Sequence, residues 1–146
     1  VELDFDFDKV KEKTKDNPIF YVQYAFARIN SLHRALNINL KSKIILNEKN
    51  FRLNKYEKKI IRKIFEWPKI IESSTKKYEI HKIPFYLYEL STLFHAYWSK
   101  GNEDKLYKFI ENNKIKRVEI LSIINLVTIV IQNGMKILGV SLPEKM

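Results

Sequence analysis

Asn17-Pro18-Ile19-Phe20-Tyr21-Val22-Gln23-Tyr24-Ala25-Phe26-Ala27-Arg28 is a helix opening, and its reading sets the class of the whole chain. An asparagine side-chain oxygen accepts from free first-turn amides, and Pro18 is preset for the first helical position. A helix is expected from residue 18 to about residue 36. Ile19, Val22, Phe26 and Ile29 form one stripe of it that should enter a core. Tyr21, Tyr24 and Arg28, spaced three and four apart, share the adjacent face. Two phenol rings and a guanidinium at the edge between core and solvent suit an unstacked nucleobase, the rings offering π-faces and the arginine a planar donor fork. The plainer reading is two tyrosines closing a core edge, with Arg28 paired to a carboxylate.

The surrounding composition favours a mostly helical fold. The chain has 146 residues, one domain by size, with 45% hydrophobic and 30% charged residues. Three glycines and four prolines leave little material for a turn-rich β architecture. Without cysteine there is no disulfide framework and no thiolate metal site. The N-terminus is acidic rather than a basic segment leading an apolar core, and the start at Val1 is expected of an excised fragment. A net charge of +10 favours a polyanionic partner. The excess is mostly lysine beside many isoleucines and asparagines, so AT-rich coding also supplies part of it.

Residues 2–8 alternate acidic and apolar, as in a short extended segment with one buried face, and a lysine-rich connector follows. Between residues 37 and 54 the periodicity breaks, giving a loop with an ordered piece around 44–46. Asn54-Lys55-Tyr56-Glu57 has the form of a capping box, and the helix after it carries Ile60, Ile61, Ile64 and Phe65 on one face. Pro68 ends or kinks that helix, and a second half should run to about residue 77. Pro84 starts the next helix, with Leu87, Leu90, Phe94 and Tyr97 stacked, and Gly101-Asn102 should stop it. A short helix is expected over 103–111. The last helix, 116–138, is apolar nearly all round, as a central buried helix would be, with Gly139 as its cap. Glu119, Ser122, Asn125, Thr128 and Gln132 interrupt it, which argues against a membrane span.

Tyr97-Trp98 is a second aromatic group, and two large rings at a helix end more often close a core than hold a ligand. Residues 41–69 hold ten basic side chains against Glu48, Glu57 and Glu66. Much of that run is a solvated face, with a secondary capacity to attract phosphate. His33, His81 and His95 stand on separate elements without metal-ligand spacing, and neither a glycine-rich phosphate loop nor a nucleophile elbow occurs. Nothing in the sequence is an active site.

Three segments in order give the chain a family resemblance. The residues from Asn17 to Arg28 resemble the Asn-Pro-x-Tyr-Tyr-Val-Gln-Tyr-Ala-His-Ala-Arg segment of arginyl-tRNA synthetases, where the catalytic body meets the helical anticodon-binding domain. Phe85-Tyr86-Leu87-Tyr88-Glu89-Leu90, with Phe94 and Tyr97, resembles that domain's Tyr-Leu-x-Glu-Leu helix. Leu138-Gly139-Val140 with Pro143-Glu144-Lys145-Met146 resembles its Leu-Gly-x-x-x-x-Glu-Arg-Met terminus.

The resemblance implies an all-α helical bundle of about five helices, with a tail of the catalytic region at 1–16 and the anticodon-binding domain at 17–146. It implies class I enzymes that attach arginine to tRNA using ATP and magnesium, with nucleotide-site signatures upstream that this sequence lacks. The fragment should then bind arginine tRNA without charging it, as a cytoplasmic monomer with no cofactor of its own. Its partners would be the tRNA and the missing catalytic domain, with no membrane. The positions matching Tyr21, Tyr24, Arg28, Tyr97 and Met146 would gather around the anticodon, and Trp98 would be structural. Two residues depart from the pattern: Phe26 stands for a histidine, and Lys145 for an arginine, keeping the charge without the fork. The alternative is a basic helical module for a protein or RNA partner, unrelated to aminoacylation.

Overall fold

Asn17 caps the first helix as its chemistry dictates: its Oδ1 accepts from Ile19 N at 3.1 Å and Phe20 N at 3.2 Å, and α1 runs Pro18–Leu36. The computed structural model describes residues 17–37 and 52–146. The expected extended segment at 2–8, the connector after it, the ordered piece at 44–46 and the tail at 1–16 lie outside those residues.

The capping box at Asn54 is complete. Oδ1 accepts from Tyr56 N at 2.8 Å and Glu57 N at 3.0 Å, while Glu57 Oε2 accepts from Asn54 N at 2.7 Å, opening α2 (Lys55–Phe65). Pro68 has no amide to continue that helix, so the chain turns at Glu66 and restarts as α3 (Trp67–Lys76). Ile60 is buried, but Phe65, expected on the same face, is the helix's last residue and 79% exposed.

α4 (Lys82–Glu103) begins two residues before Pro84, which sits harmlessly in the first turn. It also runs through Gly101. A Cβ there would lie 2.9 Å from the Tyr107 carbonyl oxygen, so this glycine admits the returning chain rather than stopping the helix. That returning chain is not the helix expected over 103–111. It is a 3-10 turn at Lys105–Tyr107 followed by a two-stranded antiparallel hairpin, β1 (Ile110–Glu111) with β2 (Lys114–Ile115). Asn112 and Asn113 adopt φ of 51° and 57°, the left-handed pair that a two-residue hairpin turn requires and asparagine tolerates.

α5 (Val118–Ile137) ends where Gly139, at φ 69°, lets Val140 N reach Met135 O at 2.9 Å.

The described residues thus form a five-helix bundle. α4, not the last helix, is its centre, touching each of the other four. Leu87, Leu90, Phe94 and Tyr97 are all buried along it, meeting Val22 and Ile29 from α1 and Ile124, Val127 and Ile131 from α5. Each such large apolar side chain contributes about 1.5–3 kcal/mol of burial. α5 has the length and composition to cross a bilayer, but half of its 20 residues are buried in the bundle. Its far side leaves Leu126, Ile129 and Ile137 exposed, so it is not buried all round.

Candidate nucleic-acid interface

The middle turns of α1 and the last turns of α4 face each other across Arg28. Its Nη1 donates to His95 Nδ1 at 3.1 Å and its Nη2 to the Tyr24 hydroxyl at 2.5 Å. The guanidinium carbon lies 4.5 Å from the Tyr24 ring centroid and 5.3 Å from that of Trp98, a cation over two π-faces. The C-terminal segment closes the third side. Ser141 O accepts from Gln23 Nε2 at 2.8 Å and Glu144 O from Arg34 Nη1 at 3.1 Å, which ties the last residues back onto α1. The result is an open groove of about 510 Å³ lined by Tyr24, Ala27, Arg28, Ser31, Arg34, Trp98, Lys145 and Met146.

Among the described residues, three cations and two aromatic rings line this groove, and no acidic side chain does. Among the described residues, no carboxylate pairs with Arg28 or Arg34. The described residues therefore do not supply the acid that the plainer sequence reading gives Arg28 as a partner. A guanidinium has five N–H donors, and the described residues occupy two of Arg28's. Burial, and next the neighbouring Arg28 charge, push the His95 imidazole down to about 4, against a smaller opposing pull from the Tyr21 carbonyl. At neutral pH the imidazole is uncharged, so its Nδ1 is free to accept.

The structure brings Tyr24, Arg28 and Met146 together in this groove. Tyr21 stands behind them, its ring 4.5 Å from His95 and 5.2 Å from Tyr88, supporting the wall rather than lining it. Tyr97, expected as a stacking platform, is in the core instead. It is 2% exposed, its ring lies 4.5 Å from Phe109, and its hydroxyl donates to Glu57 Oε1 at 2.7 Å. Burial, and next the Glu57 carboxylate, raise its phenol above the ordinary value, so it stays a donor.

Trp98, expected as structural, takes the place at the groove while its other contacts pack on Phe94 and Phe109. Arg34, Ser31 and Lys145 were not singled out as site residues. Ser31 and Arg34 continue the Tyr24–Arg28 stripe by further steps of three, so helical periodicity could have found them. Trp98 and Lys145 arrive from distant sequence. Of the basic run, Lys63 is paired with Glu66 at 2.8 Å and Glu89 at 2.5 Å, while Lys41, Lys43 and Lys49 lie outside the described residues.

Residues 22–146 match the family model of the DALR anticodon binding domain. The arginine–tRNA ligase of Pelagibacter ubique is 48% identical over 146 residues, covering all of this chain and 25% of that protein. The arginine–tRNA ligase of Sinorhizobium medicae is 37% identical over 151 residues, covering 99% of this chain and 26% of its own length. This chain spans about a quarter of the length of these curated relatives. Among solved structures, a Campylobacter jejuni protein described as an arginyl-tRNA synthetase shares the fold at a TM-score of 0.75 and 22% identity, over 97% of this chain and 29% of that one.

Proposed function

The chain belongs to the DALR anticodon-binding domain family, and from that premise we propose that it grips the anticodon loop of arginine tRNA in the groove centred on Arg28. One observation carries the reading: among the described residues, two aromatic rings and three cations without an ion-pair partner line a single groove to which no acidic side chain contributes. Splayed loop bases stack on aromatic and guanidinium planes, and the phosphates joining them need positive charge. Tyr24 and Trp98 supply π-surface, Arg28 supplies a planar fork, and Arg34 and Lys145 supply phosphate-attracting charge. Met146 offers an apolar wall at the groove's edge. Tyr21 holds the wall from behind.

In the longer protein this domain would serve an ATP-dependent arginine–tRNA ligase in the cytoplasm, with a catalytic region preceding residue 17 and residues 1–16 as its tail. The 146-residue chain would select tRNA and leave the chemistry to that region. Among the described residues, no group of three or more His, Cys, Asp or Glu could hold a metal ion. The magnesium that accompanies ATP would belong with the catalytic region.

Arg28→Lys tests the reading. Lysine keeps the charge and loses the planar fork. Discrimination between the anticodon hairpin of arginine tRNA and a hairpin with an altered anticodon should fall by about 1–3 kcal/mol, the value of one good bidentate base contact. Binding of both should weaken steeply as salt rises, because phosphate contacts release counterions. Equal losses for the two hairpins in a fluorescence-anisotropy titration would reduce Arg28 to a phosphate contact. No loss for either would remove the groove from the interface.

A further inference from the structure

We propose that His95 is a positioning residue for anticodon reading, its Nδ1 acting as the acceptor that fixes the orientation of the Arg28 guanidinium. The proposal rests on the groove reading above and assigns a second residue the task of aiming its central side chain. A single anchor leaves a guanidinium free to rotate about its long stem. Here Nη1 is held by His95 at 3.1 Å and Nη2 by the Tyr24 hydroxyl at 2.5 Å, so two different nitrogens are pinned and the plane is set. Among the described residues nothing takes the other three N–H donors, which remain for a ligand.

The chemistry of the imidazole permits only one arrangement. Arginine is always a donor, so Nδ1 must be without a proton, and the proton sits on Nε2. Nε2 faces the Tyr21 carbonyl oxygen at 3.5 Å, which selects that tautomer. The groups around the ring are Tyr21, Tyr24 and Arg28 from α1 and Phe94 from its own helix. Among the described residues no carboxylate lies within ion-pair reach of it, and the Tyr21 carbonyl exerts only a smaller pull toward the charged form. Burial and the Arg28 charge hold it neutral accordingly. The ring is also wedged: Tyr21 lies at 4.5 Å and Tyr24, nearly parallel, at 5.4 Å. A fixed ring makes a fixed acceptor, and a fixed guanidinium loses less entropy on meeting RNA.

Two measurements test this. On the unaltered chain, imidazole ¹⁵N shifts of His95 should show a bare Nδ1 and a protonated Nε2 near neutral pH, and the Nδ1 signal should move in Arg28→Lys. A protonated Nδ1 would overturn the proposal whether or not the groove binds RNA. In binding, His95→Leu keeps apolar bulk and removes the acceptor, and should cut the preference for the cognate hairpin about tenfold, as for loss of a hydrogen bond to a charged group. His95→Asn, whose Oδ1 falls near the Nδ1 position, should restore most of it. With Arg28→Lys already in place, His95→Leu should cost no further preference. An undiminished effect there, or failure of asparagine to rescue, would mean a packing role only. If Arg28→Lys weakens both hairpins equally, Arg28 reads no base and this proposal falls while the groove reading stands; if it weakens neither, both fall. Should His95→Leu not fold, the ¹⁵N result on the intact chain decides.

Discussion

Glu57→Ala is expected to lower the stability of the chain by about 3–5 kcal/mol, the cost of breaking a buried charged pair by removing one partner. Glu57 is 0% exposed, and its carboxylate is a hub. It accepts from the Asn54 amide at 2.7 Å and the Tyr97 hydroxyl at 2.7 Å, and it pairs with the Arg117 guanidinium, whose other arm donates to Arg52 O at 2.8 Å. One side chain therefore joins the start of α2, the centre of α4 and the segment entering α5. Alanine would strand a half-buried guanidinium, a phenol and a backbone amide together. Glu57→Gln should cost less but still register, because its amide nitrogen must displace one accepting oxygen in a ring of donors. Urea unfolding followed by circular dichroism measures both. A loss below about 1 kcal/mol for the alanine variant would place the hub among weak surface pairs.

The second large effect is at Tyr97. Tyr97→Ala should destabilise by about 3–5 kcal/mol, the range for emptying a buried aromatic site. The ring lies against Phe109 and stacks on Tyr56 at 5.7 Å with planes 3° apart, and its hydroxyl also accepts from Asn54 Nδ2 at 3.0 Å. Tyr97→Phe isolates the hydroxyl and should cost about 1–2 kcal/mol for the unmet Glu57 acceptor. Because Tyr97 and Glu57 share one network, the Glu57→Ala, Tyr97→Ala double variant should cost less than the two losses added together. The folded fraction of Tyr97→Phe should bind RNA normally. Selective loss of RNA affinity with an unchanged melting midpoint would return Tyr97 to the interface.

These two residues also mark where the sequence is legible and where it is not. α1 was readable because every signal in it is local: a cap, a proline and one apolar stripe. The stripe 87, 90, 94, 97 already assigned Tyr97 to the core, and only the family resemblance drew it outward. The next residue, Trp98, is rotated 100° and shares a face with His95, which is the side of α4 that meets Arg28. No spacing within α4 reveals that, because it depends on how α1 crosses it. Glu57 was legible as a cap but not as a buried hub, since its partners Tyr97 and Arg117 lie 40 and 60 residues away. The hairpin carried a local signal in Asn112-Asn113, but its strands of two residues are too short for alternation to show. In the groove, Tyr24 and Arg28 came from helix spacing, and Met146 from resemblance alone.

The central claim is that RNA enters the groove between α1, the end of α4 and the C-terminal segment. The most direct measurement is a titration of the isotope-labelled chain with the anticodon hairpin of arginine tRNA, followed by ¹H–¹⁵N correlation spectra. Amide and side-chain signals of Tyr24, Arg28, Ser31, Arg34, Trp98 and Lys145 should shift together and saturate at one hairpin per chain, while Leu126 and Ile129 on the far side of α5 stay in place. Shifts confined to the lysine-rich face of α2, with the Arg28 and Trp98 side-chain signals unmoved, would contradict it.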